Sequence, residues 1–249
     1  MKRIAAAFTL FTRIPVRKQA DIPAAAYDSA VVFWPLTGWL TGAAAALAVY
    51  GLSFLLPPLP AAAVALIVRL LLTGALHEDG LADFCDGFGG GRDKERILQI
   101  MKDTHIGTFG VLGLIGFFLL TVSLLAAIPP LTAAAAIFSA DAFSKCCASR
   151  LTDRLAYARP EGAKNRISYK PMSGREKACN LLFGIIPSLP LVWLDPPAAA
   201  AALFPILTTF WMIRFLRRRI GGYTGDCCGA ACLIGEAAML LGILSLGVL

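Results

Sequence analysis

Charge is scarce in this sequence: only 16% of its 249 residues are Asp, Glu, Lys or Arg, against about 25% in an ordinary soluble domain. Hydrophobic residues make up 57% and the mean hydropathy is +0.70, which argues against a water-soluble fold. A disulfide framework is also lacking. The seven cysteines (Cys85, Cys146, Cys147, Cys179, Cys227, Cys228, Cys232) are odd in number, and most fall in apolar stretches or in loops expected in a reducing compartment. Cys227, Cys228 and Cys232 fit no zinc spacing and read as small buried residues. No small-residue cleavage site follows the basic and then apolar stretch Met1 to Leu10, because Arg13, Arg17 and Lys18 stand there. That stretch reads as a retained amphipathic segment on a membrane surface. No internal repeat is evident, and the Ala-rich runs at 61–65, 133–136 and 198–202 read as close helix contacts.

What is present is a series of seven apolar segments, at about 31–56, 60–76, 107–128, 131–149, 178–194, 198–216 and 228–248. Each approaches the roughly 20 residues that cross about 30 Å of hydrocarbon. The expected fold is therefore all-α, a polytopic membrane protein of about seven transmembrane helices forming one domain over 1–249. Segments 131–149 and 178–194 are short enough to be tilted or partly re-entrant. The connections 57–60, 129–131 and 195–197 are rich in Pro and hold no Lys or Arg. Those at 1–30, 77–106, 145–177 and 214–227 hold 22 of the 23 basic residues. Positive charge on every second loop places the N-terminus and the charged loops in the cytoplasm and the C-terminus outside. The net charge of +7 is thus a topological signal and does not point to nucleic acid.

Chemistry concentrates behind the second span, where Glu78, Asp79, Asp83 and Asp86 place four carboxylates in nine residues beside His77. On a helix, Asp79, Asp83 and Asp86 stand at i, i+4 and i+7 on one face, where they repel one another unless a cation intervenes. Carboxylate oxygens without Cys or His at metal spacing suit Mg²⁺, completed by water and substrate phosphate. Gly89, Gly90 and Gly91, followed by Arg92, permit close backbone approach to an anion. Further along, Lys102 could neutralise phosphate, Asp103 could add a ligand, and His105 could donate a hydrogen bond or move a proton. The basic loop 145–177, with Tyr157, Arg159, Glu161, Gly162, Lys164 and Tyr169, either holds a phosphorylated substrate or orients the chain and binds anionic lipid. Arg69, Asp141, Lys145 and Glu236 lie within apolar segments, either as interhelical pairs or as the lining of a polar cavity.

Four stretches carry a resemblance: Phe11-Thr12-Arg13-Ile14-Pro15-Val16, the His77 to Asp86 motif with its Gly run, Ile100-Met101-Lys102-Asp103 through Ile106-Gly107-Thr108, and Gly221-Gly222-Tyr223-Thr224-Gly225-Asp226-Cys227. In this order they resemble the adenosylcobinamide-GDP ribazoletransferase (cobalamin synthase) family. The resemblance implies that a ribose hydroxyl of α-ribazole, or of its 5′-phosphate, attacks the cobinamide-side phosphorus of adenosylcobinamide-GDP and releases GMP. It implies Mg²⁺ on Asp79, Asp83, Asp86 and Glu78, and catalytic work by Asp79, Asp83, Asp86 and His77. Gly89, Gly90, Arg92, Lys102, Asp103, His105, Arg159, Lys164 and Asp226 would bind substrate. The expected setting is the cytoplasmic (inner) membrane, among lipid, with the active site facing the cytoplasm and homo-oligomerisation left open. The CDP-alcohol phosphotransferases are a rival, but their pattern resembles Asp-Gly-x-x-Ala-Arg, and here Asp79-Gly80-Leu81-Ala82 leads to Asp83 in place of Arg. A transporter using Arg69, Asp141 and Glu236 as an ion pathway is a third reading, and it leaves the acidic motif unexplained.

Overall fold

The computed structural model describes residues 1–16, 21–159 and 169–247. Helices α1 (Lys2–Phe11) and α2 (Ala24–Tyr27) precede α3 (Trp34–Leu52), α4 (Pro58–Thr73), α5 (Leu76–Gly90) and α6 (Lys94–Ile100). Then come α7 (Thr108–Ala127), α8 (Pro130–Ala148), α9 (Arg150–Arg154), α10 (Gly174–Ile185), α11 (Leu189–Leu194), α12 (Leu203–Arg219) and α13 (Gly225–Leu246). Six stretches are long and apolar enough to cross a membrane: Ala30–Leu52, Thr108–Ala127, Pro130–Arg154, Gly174–Leu194, Pro196–Arg219 and Gly225–Leu246. All six coincide with segments read from hydropathy. The seventh segment is not one straight helix, because α4 and α5 form a pair bent by 94°.

Two consecutive left-handed residues make that bend, Gly74 at φ 68° and Ala75 at φ 61°. The conformation costs an alanine about 1–2 kcal/mol, so something must hold it. The segment after α1 does. Arg13 N–H donates to Leu72 O at 2.7 Å, and the Arg13 side chain lies across Gly74 so closely that a Cβ there would come within 2.7 Å of its Cγ. The motif around Arg13 thus clamps the corner from which the acidic helix departs. Of the two segments expected to be tilted or partly re-entrant, 131–149 runs within the continuous helix α8, whereas 178–194 is interrupted by a 3₁₀ turn at Ile186–Ser188 that contains Pro187.

The bundle has a centre and a periphery. In the apolar stretches of Pro130–Arg154 and α13, 78% of residues are buried, against 22% to 28% in α7, Gly174–Leu194 and Pro196–Arg219. The peripheral helices turn Leu112, Ile115, Leu119, Trp193, Leu207 and Phe210 outward, as lipid contact requires. Small residues let the central helices approach: a Cβ on Gly38 of α3 would sit 2.8 Å from the Ala142 Cα of α8, and one on Gly42 3.2 Å from the Phe138 Cα. The Ala-rich runs serve the same end, with Ala61, Ala62, Ala65, Ala133, Ala136, Ala198 and Ala201 buried.

The ionisable residues within this apolar body are paired. Arg69 of α4 forms an ion pair with Glu236 of α13, and Lys145 pairs with Asp141 one turn earlier on α8, which also accepts from the Thr41 hydroxyl of α3. All five are buried. Of the two arrangements the sequence left open, the structure has the pairs.

Candidate active site

Five parts of the chain meet where α5 leaves the corner. The start of α13 is brought there by the run Gly221 to Asp226. Gly221 takes φ 72°, ending α12 without strain, and Gly222 lies against residues 156–158, where a Cβ would be 3.1 Å from the Ala158 Cα. Tyr223 then pairs with the passing strand-like segment: its N–H donates to Ala156 O at 2.9 Å, and Ala158 N–H donates to Tyr223 O at 2.8 Å. Thr224 caps α13 by accepting from Cys227 N–H at 3.3 Å, which leaves Asp226 in the first turn, where a negative charge is favoured. Gly80 of α5 makes room for this turn, since a Cβ there would lie 3.0 Å from Asp226 O. Gly229 does the same for His77, at 3.1 Å from its carbonyl oxygen.

Asp79 and Asp83 on α5 therefore face Asp226 across the α5–α13 contact, near enough for the three carboxylates to repel one another. One cation already answers them: Arg159 Nη2 lies 2.9 Å from Asp226 Oδ2. Arg159 also holds an unspent donor, because its Nε is buried without a hydrogen-bond partner among the described residues. Beside this group opens a cavity of about 230 Å³, lined on its apolar side by Leu10, Phe11, Val31 and Trp34 and elsewhere by His77, Tyr157 and Tyr169. Asp79, Arg159 and Asp226 form its polar rim.

The family model for cobalamin-5-phosphate synthase matches residues 3–244. The chain belongs to that family. Relatives named adenosylcobinamide-GDP ribazoletransferase include one from Ralstonia nicotianae, 42% identical and covering 92% of this chain and 90% of its own length. Another from Shewanella frigidimarina is 38% identical over 97% of this chain and 93% of its own length. One from Leptospira interrogans is 33% identical, covering 97% and 94%. No solved structure matches the chain.

Within a cobalamin-5-phosphate synthase the residues singled out from sequence divide into three places. Asp79, Asp83, Asp226 and Arg159 stand together as described. His77 is on the cavity wall, 3% exposed, stacked on Trp34 at 5.6 Å between ring centres, and Trp34 Nε1–H donates to its Nε2 at 3.2 Å. That nitrogen is therefore an acceptor already in use. Glu78 points the other way, its Oε1 3.7 Å from Arg69 Nη2 in the buried interior, while its Oε2 has no hydrogen-bond partner among the described residues.

Asp86 belongs to the far end of α5. Gly107 N–H donates to its Oδ2 at 2.7 Å and Gly110 N–H to its Oδ1 at 2.8 Å, so both oxygens cap the start of α7. A Cβ on Gly107 would fall within 3.0 Å of the Asp86 Cγ, which explains the glycine in the Ile106-Gly107-Thr108 stretch. Asp79 and Asp86 share a helix face, as the spacing predicts, but seven residues separate them by about 10 Å along the axis. The face is common; the location is not. Gly89 and Gly90 lie in the last turn of α5, and Gly91 ends it, packed so that a Cβ would meet Ile97 Cγ1 at 2.6 Å. The close approach these glycines permit at Gly91 is to protein. Arg92 and Lys102 are exposed. Asp103 accepts from His105 N–H at 3.0 Å and meets its Nδ1 at 2.8 Å, and this bonding holds the Asp103 carboxyl below the usual range. Both line a second cleft, of about 330 Å³, with Asp86, Gly90, Arg96 and Thr108. Lys164 lies outside the described residues.

Among the described residues no three His, Cys, Asp or Glu side chains are gathered closely enough to enclose a metal ion. The donor set at Asp79, Asp83 and Asp226 nevertheless fits Mg²⁺, which commonly keeps several waters and takes one or two carboxylates plus phosphate oxygens. A cation would relieve the mutual repulsion of these carboxylates, and the Arg159 Nε, without a partner among the described residues, is a donor that an anion could use. Sequence reasoning did not single out Phe11 and Trp34. Phe11 sits in a motif that carried the resemblance, but Trp34 reads as one more apolar residue at the start of a span, with no signal of a cavity.

Proposed function

We propose that this chain joins adenosylcobinamide-GDP to α-ribazole, or to its 5′-phosphate, with release of GMP. Supporting this reading above all is the gathering of Asp79, Asp83 and Asp226 with Arg159 beside an aromatic cavity, in a member of the cobalamin-5-phosphate synthase family. The new bond forms between the ribose oxygen and the phosphorus borne by cobinamide. The bond from that phosphorus to the bridging oxygen breaks, and GMP leaves with the electron pair. Asp79, Asp83 and Asp226 would hold Mg²⁺, which would supply neutralisation of the charge that develops on the diphosphate. Asp79, exposed at the cavity rim, accepts the hydroxyl proton as the bond forms. Arg159 directs its Nε toward a phosphate oxygen while its Nη2 stays on Asp226. His77 orients the wall and does not transfer the proton, since Trp34 occupies its Nε2.

The site faces the cytoplasm of an inner membrane in this reading, supported by the basic residues concentrated in the connections on that side. Purified protein in detergent or liposomes, given adenosylcobinamide-GDP, α-ribazole and Mg²⁺, tests it directly. GMP should appear only when both substrates and Mg²⁺ are present. GMP release without α-ribazole, or none with all three, would overturn it.

A further inference from the structure

We infer that the cavity beside Trp34 is the seat of the planar aromatic base of the nucleoside substrate, with its ribose directed at Asp79 and Asp226. The inference rests on the function proposed above and assigns one of its two substrates to a place. Size decides first. At about 230 Å³ the cavity is smaller than the roughly 300–1,000 Å³ that encloses a drug-sized ligand. A fused two-ring base fits; a corrinoid carrying a nucleotide does not.

Polarity decides next. Phe11 and Trp34 stack at 5.0 Å and Trp34 stacks on His77, which makes an apolar wall of rings packed on one another, and Tyr157 and Tyr169 also line the cavity. A neutral aromatic base gains from stacking there, whereas a diphosphate would lose its hydration without replacement. Of the charged lining groups, Asp79 is exposed and Arg159 and Asp226 are partly so, so the charge lies toward the open side. A nucleoside has this same division, an apolar ring at one end and hydroxyls at the other. Seating the ring against this wall and Tyr169 leaves the ribose hydroxyls at the carboxylates, with the phosphorus outside the cavity beside Arg159.

Gly225 supplies a probe that removes no group from the site. It lines the cavity, and a Cβ built on it meets nothing within 4 Å. Gly225→Leu would therefore place a side chain in the space claimed for the base. In steady-state GMP release, Gly225→Leu and Tyr169→Ala should each raise KM for α-ribazole by roughly ten-fold or more, the scale of one lost base stack. KM for adenosylcobinamide-GDP should be unchanged. On the unmodified protein, free benzimidazole should compete with α-ribazole and not with adenosylcobinamide-GDP, a measurement that does not depend on either variant folding. A rise in KM for adenosylcobinamide-GDP with none for α-ribazole, or benzimidazole competing against the corrinoid substrate, would give the cavity to the other substrate and overturn the inference. So would two variants with both KM values unaltered. None of these outcomes touches the function itself, which fails if the unmodified protein releases no GMP from the two substrates or releases it without α-ribazole.

Discussion

Changing Asp86 to Asn should unfold the protein more easily, while the same change at Asp79 should leave folding alone and stop turnover. Asp86 is 8% exposed and accepts the N–H groups of Gly107 and Gly110, one on each oxygen. Hydrogen bonds to a charged group contribute about 1.5–3 kcal/mol each. An Asn side chain keeps one acceptor but turns an NH₂ toward the second N–H, and it removes the negative charge from the start of α7. The expected loss is about 2–3 kcal/mol, from one charge-assisted bond plus the weakening of the other. At about 2–4 °C per kcal/mol for a chain of this size, the melting temperature should fall by about 5–10 °C. Asp79, exposed at the cavity rim, has no such duty. Thermal unfolding of detergent-purified variants, alongside GMP release titrated with Mg²⁺, separates the two. Read as one unit of three carboxylates, the sequence predicts that each Asn variant keeps normal stability and loses Mg²⁺ affinity. An Asp86→Asn protein that melts like the unmodified one while its Mg²⁺ requirement rises with that of Asp79→Asn would refute the helix-capping role.

Three other outcomes follow from particular contacts. Arg69→Met leaves Glu236 and Glu78 charged in the apolar interior and should cost about 3–5 kcal/mol, seen as poor recovery of folded protein, whereas adding Glu236→Gln should restore part of it; equal yields from the single and double variants would count against the pair. Gly80→Ala puts a Cβ 3.0 Å from Asp226 O and should shift the start of α13, lowering kcat by roughly ten-fold with little change in melting temperature; unaltered kcat would mean that the Asp79–Asp226 spacing is not critical. Cysteine labelling at Arg92 and Arg218 should occur from the cytoplasmic side and at Pro58, Pro130 and Pro196 from the outside; outside labelling at Arg92 would invert the topology.

Hydropathy found the six long apolar stretches and the one that becomes α4, because length and apolarity are properties of a segment alone. The corner at Gly74–Ala75 was not legible in the same way. A Gly followed by Ala inside an apolar run reads as continuous helix, and the left-handed turn becomes intelligible only with Arg13 lying across it, sixty residues away in sequence. The same limit applies to the site. Asp79 and Asp83 could be found from composition, since four carboxylates in nine residues are conspicuous where charge is scarce. Asp226 was noticed only through its motif, as a substrate contact, and its place opposite Asp79 depends on the bare face of Gly80.

The helical spacing of Asp79, Asp83 and Asp86 pointed to one cluster because periodicity counts angle and ignores rise. Angle alone puts the three on one face; about 10 Å of rise separates the first from the last. Over that distance α5 passes from the α13 turn to the start of α7, and each end finds a different partner for its carboxylate. Asp86 meets backbone N–H groups that satisfy it fully, and Asp79 meets a cavity rim where charge is left to be answered. Anchoring one end of the helix to α7 and clamping the other through Arg13 holds Asp79 and Asp83 in place despite their repulsion. A carboxylate pair kept close by the fold, and not by its own bonds, is one that a cation or a phosphate-bound cation can still enter.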